Sequence, residues 1–351
     1  MSDLQTIQDR ISDAATSHTA LEIQGGGSKL FYGRAVAGQP LAVGGYRGII
    51  DYTPSELVIS ARAGTPLSEL EATLAQNGQM LAFEPPHFGA TATLGGTVAC
   101  GLSGPRRPWT GAARDFVLGV NCVNGKGEYL RFGGQVMKNV AGYDLSRTLT
   151  GSLGTLAVLL DVHLKVLPQP EQDITLLQPC TAAEAIERCN RWAAQPLPLS
   201  GACHFDHQLL IRLSGSARGL APAVRRLGGE QLDDSSRFWE HLREQQLPFF
   251  DTTLPLWRVS VAPATAPLAL GGEWLMDWGG AQRWLATDLP ADQVRAAVQA
   301  ASGHATLWRG GATDDAIFQP LPPMLLALHR RLKQTFDPAG ILNPGRLYTT
   351  L

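Results

Sequence analysis

"GATATLGGTVACGLSG", Gly89–Gly104, carries no charge and few side chains larger than threonine. Glycine removes bulk where backbone must lie close to another body, so a loop this bare is costly to order unless it packs against something. Its flanks extend the pattern: the run from Phe83 to Gly119 holds Gly89, Gly95, Gly96, Gly101 and Gly104 ahead of a strand-like "FVLG". Such a backbone suits direct contact with a large planar ligand.

Upstream, "IQGGGSKLFYG" (Ile23–Gly33) sets three glycines, a serine and a lysine after a short apolar stretch. It is not a P-loop, because no glycine stands at the required place ahead of Lys29, which follows serine instead. It is not a Rossmann fingerprint either: Gly25 and Gly27 fit, but the third glycine position is Leu30. A run of backbone N–H groups able to curl around an anion is what remains, and a turn that binds nothing is an equal alternative at this point. Downstream, "KNVAGYDLSRTLTGSLGTLAVL" (Lys138–Leu159) again places glycines before a strand.

The surrounding chain bounds the possibilities. Its 351 residues predict about two domains. A net charge of −2 without blocks of like charge excludes a nucleic-acid groove and a polybasic membrane anchor. Cys100, Cys122, Cys180, Cys189 and Cys203 are scattered, without a C-x-x-C pair, and read as buried reduced thiols of a cytosolic protein, with no metal or iron–sulfur site. The N-terminus lacks a signal-peptide pattern, and Leu4, Ile7 and Ile11 predict an amphipathic first helix.

Periodicity predicts alternating short strands and glycine turns up to about residue 168. A helix begins at Pro66 with Thr65 as its cap, "MLAF" forms a strand, and a hairpin turns around Asn124–Gly127. After "TLAVLLDVHLKVL", an α+β pattern runs to about residue 330, with helices over 182–194, 217–227, 236–245, 291–301 and 322–335. Seven of the eight tryptophans fall in this part.

The three glycine segments, in this order, resemble the FAD-binding half of vanillyl-alcohol-oxidase-type flavoproteins. The tail "FDPAGILNPGRLY" (Phe336–Tyr348) is similar to that family's return segment. The segments "LSGPRRPWTGAARDFVLG", "FGGQVMKNVAGYDLSR", "LREQQLPFF" and "DWGGAQRW" narrow the likeness to the FAD-binding subunits of bacterial glycolate oxidases, over nearly the whole chain. The implied fold is α+β: a PCMH-type two-subdomain FAD-binding domain over residues 1–170, an α+β cap over 171–335, and a C-terminal return segment over 336–351. The resemblance implies FAD held by Gly25, Gly26, Gly27, Ser28, Lys29, Thr93, Gly95, Gly96, Gly101, Gly104, Gly142 and Gly154. It also implies a small 2-hydroxy acid substrate, a sister FAD-containing subunit and an iron–sulfur subunit. The expected location is cytoplasmic, with membrane contact only peripheral and through the complex.

The departures from the family are informative. Many relatives attach FAD through a histidine just after the glycine loop; here that place reads Gly27-Ser28-Lys29, so the expected FAD is non-covalent. Leu153 and Ala157 replace a glutamate and a glycine of the usual G-S-E-G-T-L-G. The cap lacks the G-H-x-G-D-G-N-x-H motif that serves hydroxy-acid oxidation, a reaction that needs a base for the hydroxyl proton. Two readings stand: the chain oxidises 2-hydroxy acids itself, or it is a non-catalytic FAD-binding relay or assembly subunit whose sister does the chemistry. Arg106 and Arg107, as forked cations, are candidates for a carboxylate or phosphate. Tyr143 and His87 are further candidates, His87 being more simply a loop histidine bonded to backbone. "FWEHLREQQLPFF" (Phe238–Phe250) is a candidate docking face.

Overall fold

The computed structural model describes residues 4–134, 144–311 and 317–351. They form two compact units, one of Met1–Ser103, Gly111–Gln169 and Pro320–Leu351, the other of Gly104–Thr110 and Pro170–Gln319.

The first unit is organised by the strand Ala157–Lys165, buried at every position but the last. Such a strand is central and needs cover on both faces. It lies third in an antiparallel sheet ordered Ile49–Thr53, Val58–Arg62, Ala157–Lys165, Val117–Asn124, Tyr129–Gly133. The last two strands form the hairpin expected around Asn124–Gly127. One face buries Ile59, Val120, Val162 and Leu164 against Leu67, Leu70 and Leu74 of the helix Leu67–Ala75. The other face buries Val123, Val158 and Leu160 against Ile7 and Ile11 of the helix Leu4–Ser17, the first helix expected from its spacing. A bulge between Asn121 and Cys122 shifts the register, so Ala157 and Leu159 join the face of Val162 and Leu164. A separate parallel pair, Leu21–Gln24 with Gln39–Ala42, packs into the second of these cores.

Three local expectations are corrected. The Gly89–Gly104 segment is not all loop: Leu94–Cys100 is a helix, capped by the Thr93 hydroxyl, which accepts from Gly96 N at 3.2 Å. Thr65 does not cap the next-door helix; its hydroxyl bonds Gly48, and Pro66 occupies the cap position. "MLAF" shortens to a two-residue strand, Gln79–Met80, paired with Leu167–Pro168.

The helix Pro323–Phe336, assigned from sequence to the cap, belongs with the first unit. Its buried Lys333 is the reason. Lys333 Nζ donates to Asp337 Oδ2 (2.7 Å), Thr155 O (2.8 Å) and Leu342 O (2.7 Å). Asp337 in turn accepts from Ile341 N (3.1 Å) and Leu342 N (2.7 Å). Leu342 then bridges in parallel to Leu21, extending the small parallel pair.

The second unit is an eight-stranded antiparallel sheet ordered Glu230–Gln231, Gln172–Pro179, Gln208–Gly215, Leu199–Phe205, Glu273–Asp277, Gln282–Ala286, Leu256–Ser260, His304–Arg309. Glu273–Asp277 and Gln282–Ala286 were not foreseen; they are only five residues each, joined through Trp278–Gly280. One face carries the helix Ala182–Ala193, with Ile186 and Trp192 packed on Ile211 and Leu213. It also carries the helix Ala291–Ala300, with Val294 and Val298 packed on Val259 and Leu285. An edge-to-face chain links Phe249, Phe250, Trp284 and Trp308, with neighbouring centroids 5.2–5.5 Å apart. The segment expected to be a docking face is therefore folded inward: Trp239, Leu242, Phe249 and Phe250 are buried.

All five cysteines are free. Burial pushes Cys122 and Cys189 up to about 12, whereas Cys100 and Cys180 are half-buried, not fully buried as expected. Among the described residues, no group of metal-ligating side chains forms a site, and no helix is long and apolar enough to cross a membrane.

Asp337→Ala leaves the Lys333 ammonium buried without its counter-charge; urea unfolding is expected to show a loss of about 3–5 kcal/mol. A second expectation concerns acid. His163 bonds Ser60 Oγ at 2.7 Å, and burial, partly offset by Asp161, holds its pKa below the ordinary value. Because protonation is harder in the folded chain, this contribution is complete above the unfolded value, about 6.5, and is lost as pH falls through the lower folded value. Melting temperatures of His163→Gln should therefore fall less steeply with acidification than those of the parent; parallel curves would refute the assignment.

Candidate cofactor-binding cleft

The strand Leu21–Gln24 delivers the chain into the first glycine loop, which turns back on itself with Leu30 N donating to Gly27 O at 3.2 Å. Gly27 has φ 77°, the left-handed region that favours glycine. Gly26 has a different reason: a Cβ there would fall 1.5 Å from the carbonyl oxygen of Thr91. The first glycine loop thus rests directly on the backbone of the second.

Between them lies an open cleft of about 470 Å³. The glycine loop, Gly25 to Lys29, forms one wall and the helix face Thr93, Gly96, Ala99 and Cys100 another. Leu153, Asn343 and Arg346 complete it. An adjoining open pocket of about 440 Å³ shares the Gly25, Thr93 and Gly96 wall and continues along Val43, Ala63, Ala157 and Leu159. The bulge in the central strand is what turns Ala157 and Leu159 to this side.

Two cations stand at the first cavity, both buried. Lys29 Nζ donates to His87 O (3.1 Å) and Ser28 Oγ (3.4 Å). Arg346 Nη2 donates to Leu30 O (3.2 Å) and Tyr32 O (3.0 Å), latching the far end of the glycine loop. Burial lowers the Arg346 pKa, yet a guanidinium starts so high that it keeps its charge. Cys100, on the same wall, is pushed up to about 11 by burial against the pull of Lys29 and Arg346, so it remains a thiol.

Asn343 fixes the floor. Its Oδ1 accepts from Ile23 N (2.8 Å) and its Nδ2 donates to Leu153 O (2.7 Å). Leu153 itself sits at φ 52°, a conformation that costs a leucine about 1 kcal/mol or more and persists only when its surroundings hold it. The Asn343 bond and Leu153 N→Ala99 O (2.9 Å) do so. The result is a cationic, amide-lined end joined to a narrow apolar slot, the composition of a site for a ligand with an anionic linker and a flat apolar body.

Of the residues named from sequence, Gly25, Gly26, Gly27, Ser28, Lys29, Thr93, Gly95, Gly96 and Gly154 line this pair of cavities. Gly101 and Gly104 are not among the lining residues. Gly101 ends the helix at φ 63°, and the Gly104 carbonyl accepts from Trp278 Nε1 within the second unit. Gly142 and Tyr143 lie outside the described residues. Arg106 is buried in the second unit, where it donates to Ser214 Oγ (2.8 Å) and pairs with Asp173 (3.4 Å). Arg107 stacks over Trp278 at 4.3 Å. The His87 imidazole lies 2.9 Å from the Glu71 carboxylate, a partner not foreseen from the sequence. Arg346, Asn343 and Cys100 were not singled out, because their partners lie far away in the chain and no local pattern marks them.

Comparison with known proteins places the chain among FAD-binding proteins. The FAD binding domain family matches residues 1–133, and the family of FAD linked oxidases, C-terminal domain, matches residues 318–347. Glycolate oxidase subunit GlcE of Escherichia coli is 50% identical over 99% of this chain and 98% of its own length. D-lactate dehydrogenase of Anaerostipes hadrus is 33% identical over 40% of this chain and 29% of its own length. Among solved structures, alkyldihydroxyacetonephosphate synthase superimposes with a TM-score of 0.66 at 14% identity, covering 97% of this chain and 75% of that one.

FAD fits the residues present. Lys29, Arg346 and the Gly25–Lys29 backbone suit the pyrophosphate, and the small-residue wall of Gly95, Gly96 and Ala99 admits the flat, apolar remainder.

Arg346→Ala removes the latch from Leu30 and Tyr32 as well as a charge at the cleft. FAD affinity, read by quenching of flavin fluorescence, should weaken by about 10- to 100-fold, the worth of a charged hydrogen bond. An unchanged affinity would remove Arg346 from the site.

Proposed function

We infer the activity of this chain from kinship, for it belongs to the FAD-linked oxidase family that contains glycolate oxidase subunit GlcE. The chain is the FAD-binding subunit of a glycolate oxidase complex, taking part in the oxidation of glycolate and related 2-hydroxy acids to 2-oxo acids. The observation that carries this reading is a similarity running from end to end of both proteins, joined to a cleft whose lining suits FAD.

When bound, FAD supplies the two-electron acceptor for the C–H bond being oxidised. The chain's own part is to hold it: Lys29 and Arg346 at the anionic linker, the Gly96 and Ala99 wall against the flat body, and Asn343 keeping the floor in register. The FAD is non-covalent, since histidine is missing beside Ser28 and the His87 imidazole is engaged by Glu71. The partners are a sister flavin subunit, supported by the existence of a glycolate oxidase subunit GlcD that is 41% identical over 24% of this chain, and an iron–sulfur subunit taking the electrons onward. The complex is cytoplasmic and meets the membrane only peripherally.

A second reading, that the chain relays electrons or serves assembly while the sister subunit oxidises substrate, is favoured by specific contacts. The cation best suited to a substrate carboxylate, Arg106, is engaged by Asp173 and Ser214, and His204 Nε2 lies 3.0 Å from the Cys180 carbonyl.

The purified chain is expected to be yellow, and acid precipitation should release all its flavin into solution; flavin retained in the pellet would refute non-covalent binding. Anaerobic glycolate should bleach the flavin of the isolated chain if the first reading holds. Bleaching in the assembled complex alone supports the second, and no bleaching in either would refute both.

A further inference from the structure

Exposed large apolar side chains are few and clustered. Of the seven among the described residues, three lie within Met324–Leu328 and two are Leu30 and Phe31. Met324 is 84% exposed and Leu328 51%, and with Leu325 they form one apolar patch on the first turns of the helix Pro323–Phe336, whose later turns bury Lys333 and Phe336. Surface leucines scattered singly need no explanation, but a stripe does.

The same helix connects to the cleft. His329, one turn on from Leu325, meets the ring of Tyr348 edge-on at 6.1 Å, and Tyr348 neighbours Tyr32. Arg346 clasps the carbonyls of Leu30 and Tyr32. Leu30 lines the cleft wall while remaining partly open to solvent. The helix and the glycine-loop tip are thus linked through His329, Tyr348 and Arg346 at the border of the cofactor site.

Its charge selects the occupant. The helix "PMLLALHRRLKQTF" carries no carboxylate, and Arg330 and Arg331 are exposed on it, Arg331 flanking the stripe. A second copy of this chain would set arginines against arginines, whereas an apolar groove rimmed by carboxylates would match both features. We propose that the surface from Leu30–Phe31 to Met324–Leu328 is the docking face for an electron-exchanging partner subunit that presents an acidic-rimmed apolar groove. Docking there brings the partner to the edge of the FAD cleft, and this rests on reading the chain as one subunit of an oxidase complex.

The test uses tagged full-length chain co-expressed with the sister flavin and iron–sulfur subunits of its oxidase. Met324→Glu with Leu328→Glu should weaken assembly by about 30-fold or more, the loss of a buried anchor. Flavin content and melting temperature should stay at parental values, because neither side chain is buried in the chain itself. Arg330→Glu with Arg331→Glu should slow association most at low salt. Ile50→Glu, an exposed apolar control elsewhere in the same unit, should assemble as the parent does. Normal assembly of the Met324/Leu328 variant overturns the docking face and leaves the subunit reading standing. Failure of the parent chain to assemble overturns both. Loss of binding to phosphatidylglycerol–phosphatidylethanolamine vesicles with intact assembly assigns the stripe to lipid and overturns the proposal.

Discussion

One buried ion pair holds the first unit in its working form. Lys333 and Asp337 face each other at 2.7 Å in the interior, and every remaining bond they make is to backbone of the tail or of the Ser152–Thr155 turn. A buried pair is seldom a source of net stability, because desolvation offsets most of its attraction. Its value here is geometric. It specifies where Ile341–Asn343 must run; Leu21 pairs against that line of backbone, and Ile23 N donates to the Asn343 side chain it carries. The position of the glycine loop is therefore inherited from an ion pair more than three hundred residues downstream.

The cleft itself follows from backbones that come unusually close. Gly26 lies on the Thr91 carbonyl and Gly95 on Ala63, where a Cβ would fall within 2.6 Å of the alanine Cβ. These glycines serve protein–protein contact first, and the cavity is the space left between the elements they bring together. Lys29 and Arg346 then give that space its charge, while the bulge opposite Asn121–Cys122 gives it an apolar end.

Much of this was legible in the chain because periodicity and glycine spacing report on local needs. The helix Leu4–Ser17, the hairpin at Asn124–Gly127 and the glycine wall of the cleft all follow from patterns within a few tens of residues. What escaped depends on distant partners. Thr65 has the chemistry of a cap, yet Gly48 takes its hydroxyl. Arg106 looked like an anion clamp, yet Asp173 and Ser214 occupy it. Asn343 and Arg346 sit in a proline-glycine turn that says nothing by itself about the loop three hundred residues earlier. Phe249 and Phe250 follow a charged helix in sequence and still turn inward, because Phe205 and Trp284 of a sheet face offered them edges to pack on.

Asn343 closes the floor of the cleft by bonding Ile23, and this has a consequence for the order in which the protein is made. A chain emerging from the ribosome exposes the glycine loops long before the tail exists, and N-terminal regions begin folding as they emerge. The site nonetheless stays incomplete until Asn343 and Arg346 have emerged and returned to Ile23, Leu30 and Tyr32. Every glycine of the cleft is thus made some two hundred residues or more before the side chains that close it, and the loops wait for Asn343 and Arg346 to give them a fixed shape.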